Sequence, residues 1–144
     1  TVGNQAPYTP EYTLNFSANM DYPLTSTLSL IGRLDARWVG ETWFHTVQEG
    51  QRPTIFMPLF DLGVFGEGSS PLGIAEYSVS RRDAYSIVDL RLGVGADNWT
   101  LTAFATNLLD ENYLEEVIPA PEFGGSFNHP GAQRRYGVEL SFRY

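Results

Sequence analysis

Residues 12–22 read Tyr-Thr-Leu-Asn-Phe-Ser-Ala-Asn-Met-Asp-Tyr. Tyr12, Leu14, Phe16, Ala18, Met20 and Tyr22 alternate with Thr13, Asn15, Ser17, Asn19 and Asp21. Successive side chains of a strand point to opposite faces, so a strand here has one apolar face and one wet face. The apolar face begins and ends with tyrosine, a ring with a polar tip that suits the boundary between an apolar layer and water. Eleven residues at about 3.3 Å each, tilted by about 40°, climb roughly 25–30 Å, the thickness of a bilayer's hydrocarbon core.

The same period of two recurs along the chain. A second strand is predicted over 27–44. There Leu28, Leu30, Gly32, Leu34, Ala36, Trp38 and Gly40 share one parity, and Arg33, Asp35, Arg37 and Glu41 share the other. An outward charge at the middle of a bilayer costs about 2–4 kcal/mol, so charges confined to one parity are what a lipid-facing strand requires. A third strand is predicted over 85–95, with Val88, Leu90, Leu92 and Val94 opposed to Asp89 and Arg91. A fourth follows over 99–107, where alternation weakens because Phe104 shares the face of Thr100, Thr102 and Thr106. The last, 135–144, alternates Tyr136, Val138, Leu140, Phe142 and Tyr144 with Arg135, Gly137, Glu139, Ser141 and Arg143.

The connections alternate in length: 23–26, then 45–82, then 96–98, then 114–133. An antiparallel meander joined this way puts both short turns on one rim and both long loops on the other, as in outer-membrane barrels. Loops 45–82 and 114–133 are thus expected to be extracellular. Tyr22, Trp99 and Tyr144 fall near the short-turn rim, and Tyr12, Trp38, Tyr113 and Tyr136 near the long-loop rim, as two membrane-interface levels. The fold expected is all-β: an antiparallel up-and-down meander of about five long strands, an incomplete segment of a transmembrane β-barrel wall. It is incomplete because bacterial barrels close with at least eight strands. The alternative is a soluble β-sandwich, whose strands run to about five or six residues.

Composition narrows the function. A net charge of -8 with nine Lys and Arg speaks against nucleic acid. No cysteine is present, which removes disulfides and thiolate metal sites. Hydrophobic residues make up 42% and aromatic residues 14%, a composition suited to a packed or membrane-embedded β-structure and not to disorder. No run of about 18 apolar residues could form a membrane helix. Thr1 and the absence of a leader pattern suggest a mature product or a fragment.

The stretch from Asp89 to Tyr144 resembles the C-terminal end of TonB-dependent outer-membrane receptors. The matching elements are Val88–Gly93 (VDLRLG), Trp99–Phe104 (WTLTAF) and Asn107–Tyr113 (NLLDENY), the last resembling an N-L-x-D-x-x-Y element through Asn107, Leu108, Asp110 and Tyr113. Residues 129–136 (HPGAQRRY) are similar to the family's "PG-R-Y" lead into the final strand. Residues 38–44 (WVGETWF) are similar to its "G-x-T-Y/W-F" strand. Arg135, Gly137, Leu140, Phe142 and Tyr144 fit the signal read by the barrel-assembly machinery. The resemblance implies location in the bacterial outer membrane, contact with its lipid, and active uptake of a scarce solute. A ferric siderophore or similar iron complex is the leading cargo, bound as a small-molecule or metal-chelate ligand. It also implies a plug domain with a TonB box that couples to the TonB energy-transducing complex; neither is recognisable in these residues. Another outer-membrane barrel, a porin or an autotransporter, remains the runner-up.

No catalytic constellation is apparent, so a non-enzyme is expected, with no cofactor or metal. His45 and His129 could serve haem from a loop, but neither has a second ligand at a fixed spacing. Asp61, Glu67 and Glu76 lack the spacing of a calcium loop. Phe56, Phe60, Phe65 and Phe123 could contact a ligand or pack loop against loop. Arg33, Asp35, Arg37 and Glu41 are expected to pair with one another or with the plug. The face assignment is testable: Leu140→Asp should block assembly of the full-length parent into the membrane, and normal insertion would overturn the parity.

Overall fold

The computed structural model describes residues 2–48, 50–54, 56–58, 74–120 and 125–144. Antiparallel strands dominate: β1 (Thr13–Pro23), β2 (Ser29–Val39), β3 (Thr42–Trp43), β4 (Gln51–Pro53), β5 (Ile74–Glu76), β6 (Arg81–Arg82), β7 (Tyr85–Ala96), β8 (Trp99–Thr106), β9 (Leu114–Ala120), β10 (Gly125–Pro130) and β11 (Arg135–Phe142). A 3₁₀ turn, Tyr77–Ser80, precedes β6. Among the described residues no helix is long and apolar enough to cross a membrane. The chain divides into two units, one of residues 12–39, 85–112 and 132–144, the other of residues 1–11, 40–84 and 113–131.

The first unit is a five-stranded sheet in the order β1-β2-β7-β8-β11, an up-and-down meander. Its register keeps parity from edge to edge. Tyr22 pairs with Leu30, Leu30 with Val94, Val94 with Leu101, and Leu101 with Leu140. The next row joins Met20, Gly32, Leu92, Ala103 and Val138. Directly paired residues of antiparallel strands share a face, so the apolar parities of all five strands merge into one surface. Short connections close one end: Leu24 and Thr25 N–H both donate to the Leu28 carbonyl, and Ala96 pairs with Trp99 across Asp97–Asn98. The long connections leave from the other end.

Two details of this sheet explain irregular residues. Phe104 lies on the charged face because it covers Gly137, its cross-strand partner; a Cβ added to Gly137 would sit 2.8 Å from the Phe104 ring. An aromatic side chain laid over a strand glycine supplies the contact that glycine lacks. The Arg91 guanidinium stacks on the same ring at 5.5 Å. The weak alternation of β8 is therefore a packing feature. Gly93, opposite Thr102, meets backbone: an added Cβ would collide with the Leu101 carbonyl oxygen and lie 2.9 Å from Thr102 Cα.

The predicted strand 27–44 is shorter in the structure. Its register ends at Val39, whose partners Thr13 and Tyr85 are the first residues of β1 and β7. Thr42–Trp43 pairs instead with Arg81–Arg82 in a separate two-stranded sheet. The stretch read as irregular over 114–133 contains the hairpin β9–β10. Its prolines masked it, since proline is excluded from central strands. In a two-stranded sheet both strands are edges and accept it, as Pro119 opposite Ser126 and Pro130 at the bulge after His129 show. Within 45–82, β4 and β5 pair, and each is too short to show a period.

Gly93→Ala should cost about 1–3 kcal/mol, because backbone cannot yield to the new methyl group. Gly32→Ala comes closest to the ends of the Leu92 and Met20 side chains, both at 3.2 Å, and should cost less. Thermal unfolding of both variants in detergent checks this order; equal melting temperatures would contradict the β7–β8 register.

Candidate functional site

The sheet's two faces are its most distinctive chemistry. The apolar face is open: Phe142 is 65% exposed, Leu140 55% and Phe16 52%. An apolar surface this continuous marks a binding or membrane-contacting face and not an ordinary solvated one. Aromatic residues flank it at both ends. Toward the short turns lie Tyr22 on β1, Trp99 on β8 one row further on, and Tyr144 beyond β11, one row further still by parity. Toward the long connections lie Tyr12 just before β1, Trp38 on β2 opposite Leu14, and Tyr136 on β11 opposite Ala105. Tyr136 shares the row of Leu90, Leu34 and Ala18, so Tyr12 stands three rows beyond it. Both aromatic lines thus drift the same way across the sheet. Tyr113, expected at the same level, lies in the other unit, its ring against Gly131.

On the opposite face the register sets like charges directly across from each other: Arg33 faces Arg91, and Asp35 faces Asp89. Compensation runs along and diagonally between strands. Arg33 holds Asp35 in a two-pronged ion pair, Nε to Oδ2 at 2.6 Å and Nη2 to Oδ1 at 2.9 Å, and the Ser17 hydroxyl donates to Asp35 Oδ1 at 2.6 Å. Arg91 reaches Glu139 at 3.7 Å. Arg37 donates to the Tyr85 hydroxyl at 3.3 Å. Glu41, grouped with these charges by parity, belongs to the other unit, where it pairs with Arg81 at 3.5 Å.

The residues of the N-L-x-D-x-x-Y element end β8. Asn107 is 3% exposed, with φ of 49°. Its Nδ2 donates to the carbonyls of Glu111 (2.9 Å) and Ala132 (3.0 Å), and its Oδ1 accepts from Glu111 N–H (2.9 Å). Its own N–H donates to Asp89 Oδ1 at 2.8 Å. Leu108 N–H donates to the Val88 carbonyl, and Asp110, at φ 58°, donates its N–H to the Asn107 carbonyl. Asp110 also pairs with Arg134 at 3.3 Å. Of the residues read as an assembly signal, Arg135, Gly137, Leu140 and Phe142 lie on β11, an edge strand of this sheet, and Tyr144 follows it.

The second unit has a small core of its own around Arg82, which sequence reasoning left inside a loop. Arg82 is 8% exposed and stacks on Phe44 at 5.4 Å. It donates to Thr42 Oγ1 (2.7 Å) and to the carbonyls of Glu115 (2.9 Å) and Leu114 (3.3 Å). Val117, Ala75 and Ser80 are buried with it. An Arg-Arg pair at the end of a loop carries no sign of which arginine is buried. A 420 Å³ hollow beside Arg82 is lined by Tyr8, Phe44, Glu116 and His129, with Glu116 opposite His129 across the hairpin. His45 is occupied locally, its Nδ1 accepting from Val47 N–H and its ring against Tyr77 at 4.9 Å. Glu76 accepts from Ser78 N–H at the 3₁₀ turn, and Phe56 is half-buried. Asp61, Glu67, Phe60, Phe65 and Phe123 lie outside the described residues.

A solved structure, the closed form of the ferric-catecholate import receptor Fiu from E. coli K12, aligns with 93% of this chain and 14% of its own, at a TM-score of 0.53 and 21% identity. The likeness is one of fold. The chain spans a small part of that receptor. No family model and no curated protein matches the sequence.

Arg82→Gln should loosen the second unit by about 2–4 kcal/mol, since carbonyls lose a charged donor in a buried site. Limited chymotrypsin digestion should then cut within residues 40–84 faster, with β2 and β7 still protected. Unchanged cleavage would show that Arg82 does not hold this core.

Proposed function

We propose that the chain is a wall segment of a TonB-dependent outer-membrane receptor whose parent imports a scarce solute, with a ferric siderophore or similar iron complex as the first candidate. The observation that carries the membrane part is the drift of the two aromatic lines. Rows of paired residues lie about 6.7 Å apart along the strand, and four strand spacings cover about 19 Å. The short-turn line climbs two rows from Tyr22 to Tyr144, and the other climbs three from Tyr12 to Tyr136. Both inclinations come to about 35–45°, the tilt of strands in a membrane barrel, so both lines would lie level with a bilayer. Along the strands the lines stand eight to ten residues apart, which after tilting is roughly 20–25 Å, near the height of a barrel's apolar band.

The import part is supported by fold and by motif. The fold likeness is to an import receptor for a ferric catecholate, and the N-L-x-D-x-x-Y and final-strand segments resemble the receptor family. In this reading the apolar face meets outer-membrane lipid, and the charged face looks inward, toward a plug domain that engages TonB. The strand β11 carries the signal for barrel assembly. The role is transport and not catalysis.

The test uses the full-length parent in two arms. With every other tryptophan of the parent replaced by phenylalanine, Trp38 and Trp99 fluorescence should be quenched more by lipids brominated near the headgroup than by lipids brominated at the chain ends; the reverse order would remove the membrane reading. In a receptor-deficient host, the parent should restore uptake of a ferric siderophore only when TonB is present. Uptake independent of TonB would point to a passive barrel.

A further inference from the structure

We propose that Asn107 is a clip that closes the base of the connection between β8 and β11, tying its outgoing and returning segments together. The inference does not depend on the transport reading. Residues 107–112 form the outgoing stem and 132–134 the returning one. The Asn107 side chain bonds both at once, taking the Glu111 carbonyl with one Nδ2 hydrogen and the Ala132 carbonyl with the other. Its Oδ1 holds the Glu111 N–H. The clip is itself anchored to the sheet, through Asn107 N–H to Asp89 on β7 and through Leu108 N–H to the Val88 carbonyl.

Chemistry selects asparagine here. The position needs two donors and one acceptor on a short side chain, together with a left-handed backbone that asparagine tolerates better than most residues. Aspartate supplies the acceptor but no donor. Serine has one donor. Glutamine adds a methylene that displaces its amide from both carbonyls. Because the side chain is buried, an unmet partner would be costly, which makes the three-bond arrangement close to all-or-none. Asp110 and Arg134 add an ion pair between the same two stems. The next pair along the stems, Tyr113 and Gly131, is bonded from Gly131 N–H to the Tyr113 carbonyl at 2.8 Å.

The experiment is amide hydrogen exchange on the folded full-length protein in detergent, comparing Asn107→Gly and Asn107→Asp with the parent. Asn107→Gly preserves the left-handed backbone and removes the side chain; Asn107→Asp preserves shape and acceptor and removes both donors. The clip predicts that protection of the Gly131 amide, which Asn107 does not bond, falls about tenfold to a hundredfold in both variants. Amides in the middle of β7 and β8 should keep theirs. Full Gly131 protection in Asn107→Gly would assign the residue a purely conformational role and overturn the clip. Equal loss across β7, β8 and Gly131, or failure of both variants to fold, would make Asn107 a general fold element and overturn it as well.

Discussion

The register of the five-stranded sheet is the constraint on which everything else here rests. Side chains alternate with a period of two, so a slip of one residue between any two strands would carry an entire apolar set to the opposite face. The observed register also places Arg33 against Arg91 and Asp35 against Asp89. Each such like-charge pair costs a few tenths to about 1 kcal/mol. Each large apolar side chain kept in an apolar environment contributes about 1.5–3 kcal/mol. A strand such as β2 or β7 carries several of these, so the apolar face sets the register. The charges are then compensated along β2, through Arg33–Asp35, and across the sheet, through Arg91–Glu139.

From that register the aromatic lines acquire meaning. Read strand by strand, a tyrosine at each end of 12–22 and of 136–144 is only suggestive. Once the rows are known, the flanking aromatics of separate strands fall on two lines with nearly the same inclination. Sheet packing in a sandwich gives no reason for such lines, because there the apolar face lies against a second sheet across its whole length. An inclined strand in a flat apolar layer requires them.

Much of the sheet was legible because period-two alternation is a local signal that survives without any knowledge of partners. The breaks show where locality fails. Strand 27–44 reads as continuous, since residues 38–44 resemble a strand of the receptor family, yet pairing stops where β1 and β7 begin. Phe104 breaks the alternation of β8 because it covers Gly137, a partner some thirty residues away. The hairpin β9–β10 was hidden by prolines that only an isolated pair of strands accepts. Arg82 and Asp89 were not legible as structural centres at all, because burial of an arginine and the target of a carboxylate depend on residues some thirty or eighteen positions away. Asn107 stood out only by resemblance to a motif; its hydrogen bonds supply the physical reason for its identity.

The two long connections pose a problem that apolar burial alone does not solve. They are rich in Gly, Pro and Ser, carry few large apolar residues among those described, and must still satisfy irregular backbone carbonyls. Between β8 and β11 the problem is met by side chains that have several donors. Arg82 takes the carbonyls of Leu114 and Glu115 together with the Thr42 hydroxyl, and Asn107 takes those of Glu111 and Ala132. One ordered side chain that satisfies two or three acceptors loses its rotamer freedom only once, whereas separate donors would each lose theirs. Polar fasteners of this kind therefore suit segments whose core is small.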